Sequence, residues 1–309
     1  MRRISPTWRR SPPGARPPVI VLSFNRPHYL RQVLEGLAPG LDAERVHLFQ
    51  DGAVNAYSGR VAAHQEDLDA CVVLFRRHFP GGRVHPSPAN IGIAENFLRA
   101  ERFAFEELGA ECAYFFEDDL VPAPAYLAVM DRVFRAVRDE DRIAYFAAYG
   151  DHHASLARQR AAPRALATLG HHWAFGLKRS HWQAMQPLLA PYYALVVGRD
   201  YTALPGLAIR TRLRRNGLAP VHSSQDNVKA FVTTCLGRAR INTVACFGRY
   251  IGETGAHFTP ERYAAMGFSG TRLFDGRAPR SFPTPTPAEI ERSVAAMAAI
   301  FAEADRALG

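Results

Sequence analysis

The sequence predicts an α/β fold, a mixed and mainly parallel sheet flanked by helices. Short apolar runs without helical period, Val19-Ile20-Val21-Leu22, Val46-His47-Leu48-Phe49-Gln50, Ala113-Tyr114-Phe115-Phe116 and Ile143-Ala144-Tyr145-Phe146-Ala147, read as buried strands. Between them, apolar side chains recur at helical spacing. Strands alternating with helices imply βαβ units, and such units pair in parallel.

Size and composition narrow the class. The chain has 309 residues, enough for a substantial core, and its 48% hydrophobic and 22% charged content is ordinary for a globular protein. No apolar run approaches the length of a membrane span. Residues 1–16 are Arg- and Pro-rich with no apolar middle; they read as a disordered basic arm and not as a secretory signal, so the default location is cytoplasmic. The formal charge of +9 suggests an anionic partner, either nucleic acid or a sugar nucleotide. Arginines dominate, clustered at Arg2, Arg3, Arg9 and Arg10 and at Arg210, Arg212, Arg214 and Arg215, but no nucleic-acid-binding motif accompanies them. Cys71, Cys112, Cys235 and Cys246 lack paired spacing, which fits reduced, mostly buried thiols and neither a zinc site nor a disulfide framework.

In chain order, the first strand leads into Ser23-Phe24-Asn25-Arg26-Pro27, and Pro27 suits the first turn of a helix. Arg26 then lies near the positive end of a helix dipole, where it is either a phosphate clamp or a surface arginine. The second strand ends at Asp51-Gly52. This is a plain turn signal, and equally a carboxylate placed to accept from a base or ribose. Residues 59–79 predict an amphipathic helix with Val61, Leu68, Val72, Phe75 and Phe79 inside. A third strand begins at Val84, and a helix over 93–108 follows, with Asn96 near its start as a cap or a ligand contact.

The centre of the chain is Ala113-Tyr114-Phe115-Phe116-Glu117-Asp118-Asp119-Leu120-Val121-Pro122. Its apolar half is a buried strand, so the three acids sit at a strand's carboxyl end, where open α/β sheets place ligands. Adjacent acids repel and are costly to desolvate, and a divalent cation offsets that cost. Hard carboxylate oxygens suit magnesium or manganese. The other reading is a solvated acidic turn; the buried lead-in and the flanking prolines favour the metal–phosphate site.

Helix 123–137 and strand 143–147 complete the first half. Residues 149–169 read as loop, 173–177 as a strand, 180–189 and 201–216 as helices, and 241–246 as a strand. Trp173 and Trp182 are expected in the core. The pairs His152-His153 and His171-His172 point to opposite sides of the chain and do not suit one metal. Gln225-Asp226 opens a helix at which Ser223, Ser224 or Asp226 could be the cap. Residues 249–258 form a glycine-punctuated loop, 279–287 a proline-rich linker, and 288–308 a terminal amphipathic helix that docks back or mediates self-association.

The segment Ala113 to Leu127, with Glu117-Asp118-Asp119-Leu120 and the following Ala-Pro pair, resembles the metal-site segment of alpha-1,3-mannosyl-glycoprotein beta-1,2-N-acetylglucosaminyltransferase (N-acetylglucosaminyltransferase I) and its relatives with the GT-A fold. Val19 to Pro27, Phe49 to Gly52, Ile93 to Phe97, His171 to Trp182 and Gln225-Asp226 keep the same order over roughly residues 17 to 255. The resemblance implies a Rossmann-like GT-A domain. Its halves would be 17–150 for the nucleotide-sugar and 151–278 for the acceptor and catalysis, followed by a linker and C-terminal helix over 279–309. It implies an inverting enzyme that uses Mn2+ or Mg2+ and a UDP-sugar, N-acetylglucosamine or another hexose, to glycosylate a hydroxyl-bearing acceptor. Asp119 would be the metal ligand, Asp118 would face the ribose, and Glu117 would support the site. Arg26, with Ser23 and Asn25 beside it, would contact the diphosphate. Asp51 would face the uracil, and Asn96 stands where the family has a histidine beside the base. Asp226 would be the catalytic base, the surviving acid of the family's Asp-Asp pair, and His257 is a further candidate for the metal or diphosphate. The family's N-terminal membrane anchor is absent, which points to a soluble, bacterial-type enzyme. Two alternatives remain: a nucleotidyltransferase making a sugar nucleotide, although its Gly-rich loop after the first strand is missing, and a non-enzymatic nucleic-acid-binding protein, motivated by the charge alone.

Overall fold

The computed structural model describes residues 16–255 and 259–306, so residues 1–15 of the basic arm and His257 lie outside the described residues. The main sheet contains β1 (Val19–Ser23), β2 (Val46–Gln50), β3 (Arg83–Pro86), β4 (Cys112–Phe116), β6 (Ile143–Ala147), β7 (Leu166–Thr168), β8 (Phe175–Lys178) and β9 (Ala239–Thr243). Its order is β3-β2-β1-β4-β8-β6-β9-β7. Pairing is parallel from β3 through β2 and β1 to β4 and again between β6 and β9, and antiparallel around β8 and β7. The mixed, mainly parallel α/β class expected from the sequence is the class found. Separately, β5 (Leu120–Pro122) and β10 (Gly248–Tyr250) form a small antiparallel ribbon.

The helices are α1 (Pro27–Leu37), α2 (Gln65–His78), α3 (Gly92–Arg102), α4 (Tyr126–Val137), α5 (Leu156–Ala161), α6 (Arg179–Val196), α7 (Gly206–Arg215), α8 (Gln225–Cys235), α9 (Pro260–Ala265) and α10 (Pro287–Arg306). Successive residues of β4 show the layers. Phe115 packs its ring against Phe97 of α3 and Phe175 of β8, while Tyr114 on the other face meets Phe146 and bonds Asp131 of α4. Every residue of β1, β2, β4 and β6 is buried. Both faces of these strands are covered, which is why β1, β4 and β6 read as near-continuous apolar runs, while β2 buries His47 and Gln50 among its apolar residues. Gly176 of β8 is a close approach: a Cβ there would lie 2.3 Å from the Phe146 ring.

Several boundaries differ from expectation. The helix expected from residue 59 begins at Gln65, and Val61 is 69% exposed. Residues 53–63 instead form a loop closed by bridges Val54↔Val61 and Asn55↔Asn90. The Asn55 side chain accepts from the Tyr57 and Ser58 amides, a local turn that outcompetes helix. The span 149–169 contains α5 and β7, capped by Ser155 and paired to β9. The helix expected to end near Leu189 continues to Val196 with Pro187 and Pro191 inside it, and the helix expected from Tyr201 starts at Gly206. The terminal helix docks back, burying Met297 and Phe301 against Ala230 of α8. Cys71, Cys112 and Cys246 are buried and Cys235 is exposed, all as free thiols. Among the described residues no helix is long and apolar enough to cross a membrane.

One interior feature makes stability pH-dependent. His47 on β2 is 4% exposed, packs on Phe103 and shares a 3.2 Å contact with His85. Burial, with His85 and Arg83 adding to it, pushes its imidazole down to about 4. A depressed histidine contributes stability that is complete above its unfolded value, about 6.5, and is lost as pH falls toward the folded value. The shift corresponds to about 3 kcal/mol. The melting temperature is therefore expected to drop between pH 6.5 and 4, and His47→Leu should flatten that drop; an unchanged acid profile in the variant would remove His47 as its source.

Candidate active site

The strand order places the site. The connections run β1 to β2 to β3 on one side of β1, and then β4 returns to its other side. The carboxyl ends of β1 and β4 therefore flank a topological switch point, the crevice where open α/β sheets bind ligands. Arg26 leaves the end of β1 and heads α1; Glu117, Asp118 and Asp119 leave the end of β4.

The two strand ends meet through charge. Arg26 Nε donates to Asp118 Oδ2 at 3.1 Å, one Nη bonds Asp118 Oδ1, and the same Nη donates to Asp119 Oδ2 at 2.9 Å. Its guanidinium also lies 5.2 Å from the Tyr29 ring centroid. Burial works against the Arg26 charge, but the two carboxylates more than offset it and raise its pKa. On the acidic side burial dominates. It raises Asp118 against the pull of Arg26, and, with Asp118 adding repulsion, lifts Asp119 to about 6. Glu117 is half-buried and raised well above the usual carboxylate range, first by burial, then by Asp119, Asp226 and Asp118.

Asp226 is thus within the electrostatic field of Glu117, although 109 positions separate them in the sequence. It sits exposed in the first turn of α8. Ser224 occupies the cap position without a side-chain cap bond, so neither Asp226 nor Ser224 is spent on capping.

A loop and a ring stack wall the crevice. Ile251 N donates to Asp119 O at 2.8 Å, extending the β5–β10 ribbon, and the chain then folds over Arg26, whose Nη1 lies 3.5 Å from Thr254 O. Tyr29 Oη meets Thr254 Oγ1 at 3.1 Å and holds this loop to α1. His171, Trp173 and Tyr250 stack face to face, at 4.2 and 3.9 Å between centroids. Tyr250 feels Asp119 and Glu117 at one end of the stack, and His171 feels Asp226 at the other. Trp173 is half-buried with both faces covered, a structural ring as expected. Its neighbour Ala174 holds φ at 41°, and the Ala174 carbonyl accepts from Tyr126 Oη. The glycine-punctuated 249–258 loop and the His171 to Trp182 segment were both marked in the sequence, but the roles of Tyr29, Thr254, Tyr250 and the ring stack were not, since each is an ordinary residue type brought in by the fold.

Of the other expected donor residues, Asp51 and Asn96 are tied into the structure by hydrogen bonds. Asp51 is 5% exposed, and its carboxylate accepts from the Gly52, Ile91 and Gly92 amides and from the Asn90 side chain, at 2.9 to 3.0 Å. The carboxylate thus accepts four hydrogen bonds from its own loops. Gly52 permits the approach, because a Cβ there would lie 2.3 Å from the Ala89 carbonyl carbon. Asn96 is 2% exposed; it donates to Phe49 O at 3.2 Å and accepts from Arg99 at 2.9 Å. The Ser23 hydroxyl is buried beside the Cys71 thiol, which burial pushes up to about 11. Asn25 is half-buried in the strand-to-helix loop. Ser23, Asp51 and Asn96 are thus all buried in the packed layer beside the crevice.

The donor set suits a hard divalent cation. Glu117, Asp118 and Asp119 share one guanidinium, and burial, the first cause in each case, raises all three carboxyls, a cost that a divalent cation would offset. Among the described residues no three His, Cys, Asp or Glu side chains are gathered to hold a metal ion. A magnesium-type site needs only one or two carboxylate ligands.

No family model matches the sequence, and no curated protein matches it. Among solved structures, the chain is similar to S. aureus TarS 1-349 at 11% identity and a TM-score of 0.41, covering 77% of this chain and 61% of that one. For the same protein in complex with UDP-GlcNAc the values are 12%, 0.41, 79% and 60%. It is also similar to glucosyl-3-phosphoglycerate synthase from Mycobacterium tuberculosis, in complex with Mn2+, UDP and glucosyl-3-phosphoglycerate, at 14% identity and a TM-score of 0.37, covering 93% and 80%. The chain spans about three fifths of the TarS chains it matches. Likeness at this level assigns neither a sugar nor a reaction.

Proposed function

We propose that the chain is a metal-dependent, inverting glycosyltransferase of the GT-A type. It would move N-acetylglucosamine or another hexose from a UDP-sugar to an acceptor hydroxyl. The observation that carries this reading is the meeting of Arg26 with Asp118 and Asp119 at the switch point, under the 251–255 loop and within the field of Asp226.

Asp119 would hold Mn2+ or Mg2+, with Asp118 toward the ribose and Glu117 supporting the site. When bound, the ion would supply charge neutralisation for the departing diphosphate. Arg26, at the amino end of α1, adds a fixed positive charge for the same diphosphate, together with the helix dipole. Asp51 and Asn96 act as positioning residues, since they pin the 89–92 loop and the end of β2 that border the crevice. Asp226, exposed and ionisable on the far wall, takes the proton from the acceptor hydroxyl. A single base and, among the described residues, no group assigned as a covalent nucleophile fit inversion, giving a β-linked product from an α-linked donor.

A thermal-shift panel tests the donor side. UDP, UDP-N-acetylglucosamine, UDP-glucose and UDP-galactose are each added with and without Mn2+. A ligand that binds only the folded form raises the midpoint by mass action, about 2.7 kcal/mol at one hundred times its dissociation constant. Stabilisation is expected only when nucleotide and metal are both present, and is expected to vanish in Asp119→Ala. A protein indifferent to every UDP compound with metal present would defeat the reading.

A further inference from the structure

Arg240 is the second residue of β9 and only 2% exposed. A guanidinium does not shed its charge, and in the interior it ordinarily faces a carboxylate. Arg240 bonds none among the described residues. Its Nη1 meets His172 Nε2 at 3.0 Å and its Nη2 meets Met297 Sδ at 3.1 Å, while Nε has no partner. Burial holds His172 well below its usual range, so its ring is neutral and accepts from Arg240. A thioether is a weak acceptor, so most of the guanidinium's bonding capacity is poorly used or unused.

This side chain lines a cavity of about 150 Å³, together with His172, Ala230, Phe301 and Asp226. Arg240 feels the charge of Asp226 without bonding it. The volume is roughly that of five waters at about 30 Å³ each, room for one small oxyanionic group. A buried cation left short of acceptors is costly, and an anion brought in by a ligand removes that cost.

We propose that the acceptor carries a phosphate or carboxylate group that seats on Arg240 in this cavity and so sets an acceptor hydroxyl at Asp226. The inference rests on the reading of Asp226 as the base of a sugar transfer, and it narrows the acceptor to an anionic small molecule or an anionic terminus of a larger one. Arg240 is then a specificity-determining residue, and its neutral histidine partner orients the guanidinium toward the cavity.

The test uses inorganic phosphate and acetate as probes, with chloride balancing ionic strength, and reads the melting temperature of the full chain. Wild type is expected to gain about 3 °C at ten times the dissociation constant of the preferred oxyanion, and the stronger response identifies phosphate or carboxylate. Two variants locate the response: Arg240→Gln removes the charge, and Ala230→Leu fills the cavity while leaving Arg240 in place. Both are expected to lose it. A wild type indifferent to both oxyanions, or a response that survives in a folded variant, would overturn the inference. The UDP–Mn2+ response is measured alongside. If it persists while the oxyanion response fails, only this inference falls; if the oxyanion response holds while UDP fails, the donor reading falls.

Discussion

Asp226→Asn is expected to lower sugar transfer by about 10²–10⁴-fold, the span that general-base catalysis contributes. UDP and Mn2+ should bind as in wild type, because Asp226 reaches the acidic cluster only through its field and bonds none of it. Folding should also be nearly intact. The side chain is exposed and makes no cap bond, so the lost charge at the start of α8 costs about 0.3–1 kcal/mol through the helix dipole. Asn keeps the shape of Asp but cannot take a proton. The measurement is a rate of labelled-sugar transfer set beside calorimetric UDP–Mn2+ affinity. Unimpaired transfer with normal affinity would remove Asp226 from the chemistry, and loss of both would make it a donor ligand instead.

Lys229→Met is expected to destabilise the fold by about 3–5 kcal/mol, because it strands the carboxylate of Glu101 in the interior. Lys229 Nζ meets Glu101 Oε1 at 2.5 Å, and the two side chains are 2% and 0% exposed. The ammonium also lies 5.1 Å from the Phe97 ring centroid. The pair ties α3, which carries Asn96, to α8, which carries Asp226 one turn before Lys229. It therefore sets where the candidate base stands relative to the sheet. Glu101→Leu combined with Lys229→Met should recover most of the loss, since two apolar groups need no counter-charge. Denaturant unfolding of the single and double variants checks this. A single variant that loses less than about 1 kcal/mol would mean that water reaches the pair.

The strands were legible because both their faces are covered, so β1, β4 and β6 carry almost no polar residues, and β2 carries only His47 and Gln50. The acids were legible because three carboxylates after a buried run are chemically conspicuous. Asp51 was ambiguous for a physical reason: a buried carboxylate at a strand end looks the same in sequence whether it serves a ligand or its own loop. Only the loop at residues 90–92, folded back onto it, decides. Arg240 was missed because the strand was expected to begin at residue 241, and its burial comes from distant partners, His172 and Met297 of α10. The start of α2 was misplaced because the Asn55 turn competes locally with the helical pattern.

Composition and periodicity by themselves determined the α/β class, the strand that carries the acids, and the strand-to-helix turn that carries Arg26. All three follow from local chemistry, since apolar spacing and proline placement act over a few residues. The tertiary structure alone decided which charges meet. Arg26 and Asp118 stand 92 positions apart, and what joins them is the return of β4 to the free side of β1. Pairing at that range is set by sheet topology and by the cost of burying charge alone, neither of which a neighbouring residue can report.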